Sequence, residues 1–526
     1  IRTNPRPDIH PMRPPTRRTI MRNNPYAARL ALTLGLSLVF SGCAIGPDYR
    51  RPETSLPERY VTDEAGNLTN TAPINPEWWK LFGDATLDQL IEQTLTRNQD
   101  LEAAVARMEA AEAAAREAGA DYFPTVDLQG ASIRSRTSGE TSSGQQMGVM
   151  TSTNRRIVLN IGYEFDIWGR LRRSNEAARA EALSGRFARD SLRLSLIAQV
   201  VSVYLDLRVR DVEVLAMSRT LRAQEKTRDI VQGKKDVGAA SDLEVAQAVA
   251  AHAATAAQLT EILRQRTLAE NLLALLAGQP GLRLEPLAEA AVPLSPLPPV
   301  GLPSALIEAR PDVRQAEEAL VAANARIGLA KAAYFPVISL TGFLGSESAQ
   351  FSSLFTRPAE VWSYGAAITA PIFNWGRTSA RVDQASARQR ELLANYQKTV
   401  QGAFREVRDA LASLSLFDRS EGELQTQLAA ASDALRLANA RYEVGYSGFL
   451  EVLDSQRTLN AAQLQYLAAR RNRLLSAVDL FKALGGGWQE GWEGQAETEE
   501  GGASEEGASS IPPEAKKAPA DESTGS

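Results

Sequence analysis

The stretches ADYFPTVDLQG (Ala120–Gly130) and AAYFPVISLTG (Ala332–Gly342) nearly repeat one another, 212 residues apart. The match continues on both sides. Asn98-Gln99-Asp100 opens a helix-forming stretch ending at Tyr122, and Arg310-Pro311-Asp312 opens one ending at Tyr334. Trp168-Gly169-Arg170 returns as Trp375-Gly376-Arg377, now at an offset of 207. At that same offset Val237-Gly238 with Leu243-Glu244-Val245 returns as Val444-Gly445 with Leu450-Glu451-Val452. Fixed order at near-fixed spacing is an internal duplication. Each copy reads helix, YFP, two strands, WGR, long helix, VG turn, helix. Pro124 and Pro336 stand at the helix-to-strand junctions. Proline lacks an N–H and disfavours helix in the residue before it, so it suits that change of structure.

Between YFP and WGR the polarity has period two. Ile157, Leu159, Ile161, Tyr163 and Phe165 alternate with Val158, Asn160, Gly162, Glu164 and Asp166. Trp362, Tyr364, Ala366, Ile368 and Ala370 alternate with Ser363, Gly365, Ala367 and Thr369, while Val126, Leu128, Ile338 and Leu340 set the same rhythm in the preceding strands. Alternation over about ten residues is the mark of a transmembrane strand, apolar towards lipid and polar towards a lumen. Aromatics sit at the strand ends, Trp362 and Tyr364 at one, Phe165, Trp168, Phe373 and Trp375 at the other, as interfacial girdles do. The competing reading is an amphipathic hairpin on a soluble core, but nothing else in the chain reads as a sheet for it to join. Four strands do not close a barrel, whose smallest membrane forms have about eight, and lipid does not tolerate an open sheet edge. Copies of the chain are therefore expected to pool strands, three giving about twelve.

The remaining length is helix-forming. The stretch from Leu171 to about Gln232 predicts a helix of about 90 Å at 1.5 Å per residue, against about 36 Å for residues 98–121 and about 55 Å for 241–277. The second copy repeats this with 378–443, 311–333 and 449–484. One long helix is thus expected beside two short ones stacked end to end. From Leu450 the spacing is that of a coiled coil: Leu450, Leu453, Leu464, Leu467, Leu474, Val478 and Phe481, with Arg457, Asn460 and Arg471 filling the remaining seam positions. Small residues such as Ala316, Ala319, Ala322 and Ala323 permit close helix approach.

The 526 residues carry a net charge of −5, which argues against a nucleic-acid partner. The two histidines, His10 and His252, lie far apart, so a multi-histidine metal site within one chain is excluded. No Ser/His/Asp set or phosphate loop is present, and the chain reads as a non-enzyme with no catalytic residue. From Met21 the chain reads MRNNPYAARLALTLGLSLVFSGC, with Arg22 and Arg29 before an apolar run from Leu30 to Phe40. That is a secretory signal, too short to span a membrane. Ser41-Gly42 before the single cysteine resembles a bacterial lipobox. The resemblance implies cleavage before Cys43, N-acyl and S-diacylglycerol modification of Cys43, and sorting to the outer membrane. Residues 1–20 fit no signal region and read as an upstream extension. Residues 278–303 hold seven prolines and form an irregular belt between the copies. The last stretch, 488–526, has ten acids against two lysines and reads as disordered.

These features together resemble the TolC-like outer-membrane efflux proteins, in the OprM/NodT lipoprotein branch. The residues carrying the resemblance are CAIGPDYRRP (Cys43–Pro52), ARPDVRQAE (Ala309–Glu317), both YFP segments, IFNWGR (Ile372–Arg377) and RYEVGYSGFLEVLDSQRTL (Arg441–Leu459). The implied fold is α+β: a homotrimer with a 12-stranded outer-membrane β-barrel, four strands per chain, continued by a periplasmic α-helical barrel. The expected organisation is signal 21–42, acylated and equatorial segment 43–97, first repeat 98–277 with its hairpin at 123–168, and linker 278–309. The second repeat, 310–484 with its hairpin at 335–375, and an acidic tail, 485–526, complete it. The family's tips meet a periplasmic adaptor joined to an inner-membrane pump, here expected to be of the RND type; that role falls on Val237, Gly238, Val444 and Gly445. The family's gate falls on Tyr442, Glu451 and Asp454. Glu451 and Asp454 lie three apart on one helix face, and threefold symmetry would make acid rings that favour cations. A TolC arginine of that gate is Ser447 here. The implied function is a passive, lipid-anchored outer-membrane exit duct in a Gram-negative bacterium, with outer-membrane lipid as a further partner and no cofactor. The exit duct of a type I protein-secretion system and a coiled-coil lipoprotein tether are the alternatives.

Overall fold

The computed structural model describes residues 44–53, 57, 74–287 and 310–489. Cys43, most of the linker 278–309 and the acidic tail beyond residue 489 lie outside them. The chain forms two compact units, each drawing on both copies of the repeat. The first holds Tyr122–Arg173, Gly328–Thr378 and the described residues up to Gly46; the second holds the rest.

The first unit is a four-stranded antiparallel sheet, β1 (Thr125–Arg136), β2 (Thr151–Phe165), β3 (Val337–Ser348) and β4 (Glu360–Thr369), in the order β1-β2-β3-β4. Register fixes its faces. Leu128 pairs with Leu159, Leu159 with Leu344, and Leu344 with Trp362. Because side chains alternate, one face carries Val126, Leu128, Ile157, Leu159, Ile161, Tyr163, Leu340, Leu344, Trp362, Tyr364 and Ile368. Much of that face is bare, with Leu128 71%, Trp362 71% and Tyr364 79% exposed. The other face carries polar pairs: Asn160 donates to Gln129 (3.2 Å), Asn154 to Glu347 (2.7 Å), and Arg156 lies 4.2 Å from the Phe343 ring centroid. The central pair β2–β3 joins the two copies, so β1 and β4 are left as edges.

The second unit is helical. Its helices are α1 (Ala85–Arg97), α2 (Gln99–Ala120), α4 (Arg170–Asp236), α5 (Asp242–Leu276), α6 (Pro311–Ala332), α7 (Arg377–Glu443) and α8 (Phe449–Ala483), of which α4 up to Arg173, α6 from Gly328 and α7 up to Thr378 belong to the sheet unit. A short helix, α3 (Ser142–Met147), lies between β1 and β2. The two copies match in length: 22 residues for α2 and α6, 67 for α4 and α7, 35 for α5 and α8. At 1.5 Å per residue each long helix measures about 100 Å. No described helix is both long and apolar enough to cross a membrane.

The short helices are joined by one device used twice. Asn98 caps α2, accepting from the Asp100 and Leu101 amides, and its side chain donates 3.0 Å to the Leu276 carbonyl at the end of α5. Arg310, its counterpart, donates 3.0 Å to the Ala483 carbonyl at the end of α8. Each satisfies a carbonyl that the helix end leaves without an intrahelical donor. The core around Trp78, which stacks on Phe481 at 4.7 Å, includes Leu87, Leu90 and Ile91 of α1. Asp84 caps α1 through the Thr86 and Leu87 amides.

Two expectations are corrected. Leu450 is 62% exposed, not in the seam. Phe449 takes the inward position beside it, and the buried heptad begins at Leu453 and runs through Asn460, Leu467, Leu474 and Phe481. Arg457 likewise faces solvent. Trp168 stands at the strand end as expected, and its ring stacks on Phe335 at 4.8 Å.

Candidate functional site

The VG turns end α4 and α7. At each, glycine is in the left-handed region, φ +77° for Gly238 and +79° for Gly445. Gly238 N–H donates to Lys235 O (2.8 Å) and Ala239 N–H to Lys234 O (2.7 Å). Gly445 N–H donates to Tyr442 O (3.1 Å) and Tyr446 N–H to Arg441 O (2.9 Å). Each pair is a Schellman motif, which needs a left-handed residue and so favours glycine. The turns leave Val237 79% and Val444 68% exposed, with Leu243, Tyr446 and Leu450 also bare. Beneath them Val231, Ala248, Ala251, Ala438, Phe449, Val452 and Leu453 form one small core, which ties the two tips together.

The copies diverge just past the glycine. In the first, Ser241 and Glu244 form a capping box: the Glu244 amide donates to Ser241 Oγ (3.3 Å), and the Ser241 amide to Glu244 Oε2 (2.7 Å). The counterpart of Ser241 is Gly448, which has no side chain with which to cap α8. Glu451, the counterpart of Glu244, instead pairs with Arg441 Nε at 3.6 Å. Across the first turn Lys235 pairs with Asp242 at 2.5 Å, and the Asp242 carboxylate holds the Lys235 ammonium above its ordinary range.

Tyr442 is half-buried. It packs on Phe449 at 5.6 Å, and Lys234 Nζ from the other tip lies 4.2 Å from its ring centroid, a cation–π contact. The structure thus pairs Tyr442 with Lys234 and Glu451 with Arg441, while Asp454 is exposed on the next turn. The sequence reading left out Lys234 and Arg441. The signal was present, because the offset of 207 places both cations three residues before a Val-Gly turn.

Pro124 directly precedes β1 and Pro336 directly precedes β3. The Pro336 carbonyl accepts from Trp168 Nε1 at 2.8 Å. Cys43 lies outside the described residues, but the residues after it are held tightly. Ile45 N–H donates to Trp168 O (3.1 Å), a Cβ on Gly169 would stand 2.8 Å from Ala44 Cα, and one on Gly328 would stand 2.5 Å from Ile45 O. Among the described residues no three His, Cys, Asp or Glu side chains gather to hold a metal.

A family model described as outer membrane efflux protein matches residues 90–279 and again residues 302–486. The chain belongs to the outer membrane efflux protein family. The two matches fall one on each copy of the duplication. Among relatives of this efflux protein, the probable efflux pump outer membrane protein TtgC of Pseudomonas putida is 34% identical over 86% of this chain and 94% of its own. The outer membrane protein OprJ of Pseudomonas aeruginosa is 34% identical over 88% and 96%. The CmeC outer membrane channel of Campylobacter jejuni superposes with a TM-score of 0.79 at 26% identity, over 86% of this chain and 98% of the channel.

Proposed function

We propose that this chain is the outer-membrane exit duct of a tripartite efflux system. Three copies pool their sheets into one barrel, and the helices wall the duct. The observation that carries this reading is the sheet itself. One face is apolar and bare, the other carries polar pairs, and among the described residues neither edge strand has a strand on its outer side. In lipid such a sheet must close with other copies of itself, since no water is there to satisfy the edge N–H and C=O groups. The relatives' names support efflux as the purpose. The exposed valines and glycines of the two tips offer a docking surface for a periplasmic adaptor, with an inner-membrane pump supplying the energy. Glu451 and Asp454 would form the acid rings of the aperture, with Tyr442 holding it shut. Cys43 would carry the lipid anchor, and the tight seat of Ala44–Gly46 is what would hold that anchor close to the sheet. The duct itself does no chemistry.

The test is the mass of the purified, detergent-solubilised protein, followed by conductance in a planar bilayer. A trimer that forms pores supports the reading. A stable monomer overturns it, since four strands leave two edges open.

A further inference from the structure

The two copies of the repeat meet inside the sheet unit at one aromatic joint. Trp168 ends the first hairpin, and its indole stacks on Phe335 at 4.8 Å with an interplanar angle of 30°. Its Nε1 donates 2.8 Å to the carbonyl of Pro336, the junction proline of the second hairpin. This joint lies at the base of the pair β2–β3, where copy one meets copy two.

The duplication supplies a second set of the same residues. Trp375 is the counterpart of Trp168, and Phe123-Pro124 are the counterparts of Phe335-Pro336. Within the chain these halves do not meet one another. Trp375 is 88% exposed and Phe123 71% exposed. Trp375 follows β4, whose last residue is Thr369, and Phe123 stands just before β1; these are the two edge strands of the sheet. Trp375 is also the single non-glycine residue with positive φ (53°) among the described residues, a conformation that L side chains adopt at a cost. Its ring packs edge-on against Phe373, at 4.5 Å.

We propose that Trp375 of one copy packs over Phe123 of a neighbouring copy, its indole Nε1 donating to the Pro124 carbonyl there. The joint formed once inside the chain then recurs between chains. A closed ring of three copies carries six such joints, three within chains and three between them. The occupant is a second copy, because the surface that Trp375 would cover, Phe123-Pro124, is the repeat counterpart of the Phe335-Pro336 surface that Trp168 already covers in its own chain. This rests on the reading of the chain as a strand-sharing assembly.

The test is a double-mutant cycle on the purified trimer, read as the trimer–monomer equilibrium in detergent. Trp375→Ala and Phe123→Ala are each expected to weaken assembly by about tenfold per joint, the scale of an aromatic pair. The double variant should be no weaker than the worse single one. Trp375→Phe should recover part of the loss, since it keeps the ring and loses the donor. Phe123→Cys with Trp375→Cys in one chain should give disulfide-linked dimers and trimers on gels without reductant, and neither single variant should. Additive losses together with absent cross-links in a protein that still trimerises overturn the joint and leave the assembly reading standing. A wild-type protein that is monomeric overturns both. The cycle on Trp168 and Phe335, followed by unfolding, is the internal control and should show coupling in either state.

Discussion

Filling the second tip should separate docking from folding. Gly445 has φ +79°, and a Cβ built there meets no atom of its own chain within 4 Å. Any substitution therefore bears the left-handed backbone, about 1–2 kcal/mol for an L residue, and no clash. That cost falls on one turn above a small core of its own, which includes Phe449 and Val452, each 1% exposed. Gly445→Ala and Gly445→Trp bear the same backbone strain and differ only in what projects into solvent. Both should reach the outer membrane at wild-type amounts. In a strain that keeps the cognate adaptor and pump but lacks its own duct, Gly445→Ala should retain most resistance to the exported compounds. Gly445→Trp should lose it, because the bulk stands where the adaptor would lie. The assay is minimal inhibitory concentration beside quantitative immunoblotting of outer-membrane trimer. Wild-type resistance from Gly445→Trp would refute docking at this tip. Equal failure of both variants would show that backbone strain governs.

Glu451→Ala with Asp454→Ala should raise single-channel conductance; unchanged conductance removes both from the gate. Glu451→Ala alone breaks an exposed ion pair worth about 0–1 kcal/mol, so the open fraction should rise by up to about fivefold. Gly448→Ser should restore the capping box of the first copy, stabilise the start of α8 by about 0.3 kcal/mol and draw Glu451 from Arg441, which conductance against urea resistance would show. Asn98→Ala removes a cap and orphans the buried Leu276 carbonyl, about 1 kcal/mol for each effect. The Asp100 and Leu101 amides should then exchange hydrogen about tenfold to a hundredfold faster, and unchanged exchange would mean that the joint bears nothing. Burial raises the Glu213 carboxyl above its ordinary range against the opposing pull of Arg210 and Arg471. A carboxyl raised in the fold favours the protonated state, so its contribution is fully present below the unfolded value and falls as pH climbs through the folded one. Glu213→Gln should raise Tm at pH 7.5 and leave it nearly unchanged at pH 4, and an equal shift at both would reject the assignment.

Much of the architecture was legible because the duplication wrote it twice. Period-two polarity located the strands, and two glycines marked the tips, since a helix ending in a left-handed turn favours the residue without a Cβ. Helix α1 was missed within the segment assigned to an equatorial belt, although Asp84 and the spacing Leu87, Leu90, Ile91, Thr94 carried its signal. Leu450 misled because heptad spacing says which residues share a stripe, not where the partner helix stops covering it.

The sequence alone determined the repeat, the strand faces and the helix lengths, because each depends on local period and local backbone preference. It also held the divergence of Ser241 from Gly448. Only the tertiary structure decided what that divergence does. Whether Glu451 caps a helix or pairs with Arg441 depends on how the second turn folds its two helix ends together, and whether Lys234 reaches Tyr442 depends on side chains 208 residues apart meeting in one cluster. The same holds at the sheet. Trp168 and Trp375 stand in the same motif, and only the pairing of β2 with β3 covers one and leaves the other exposed beyond an edge strand.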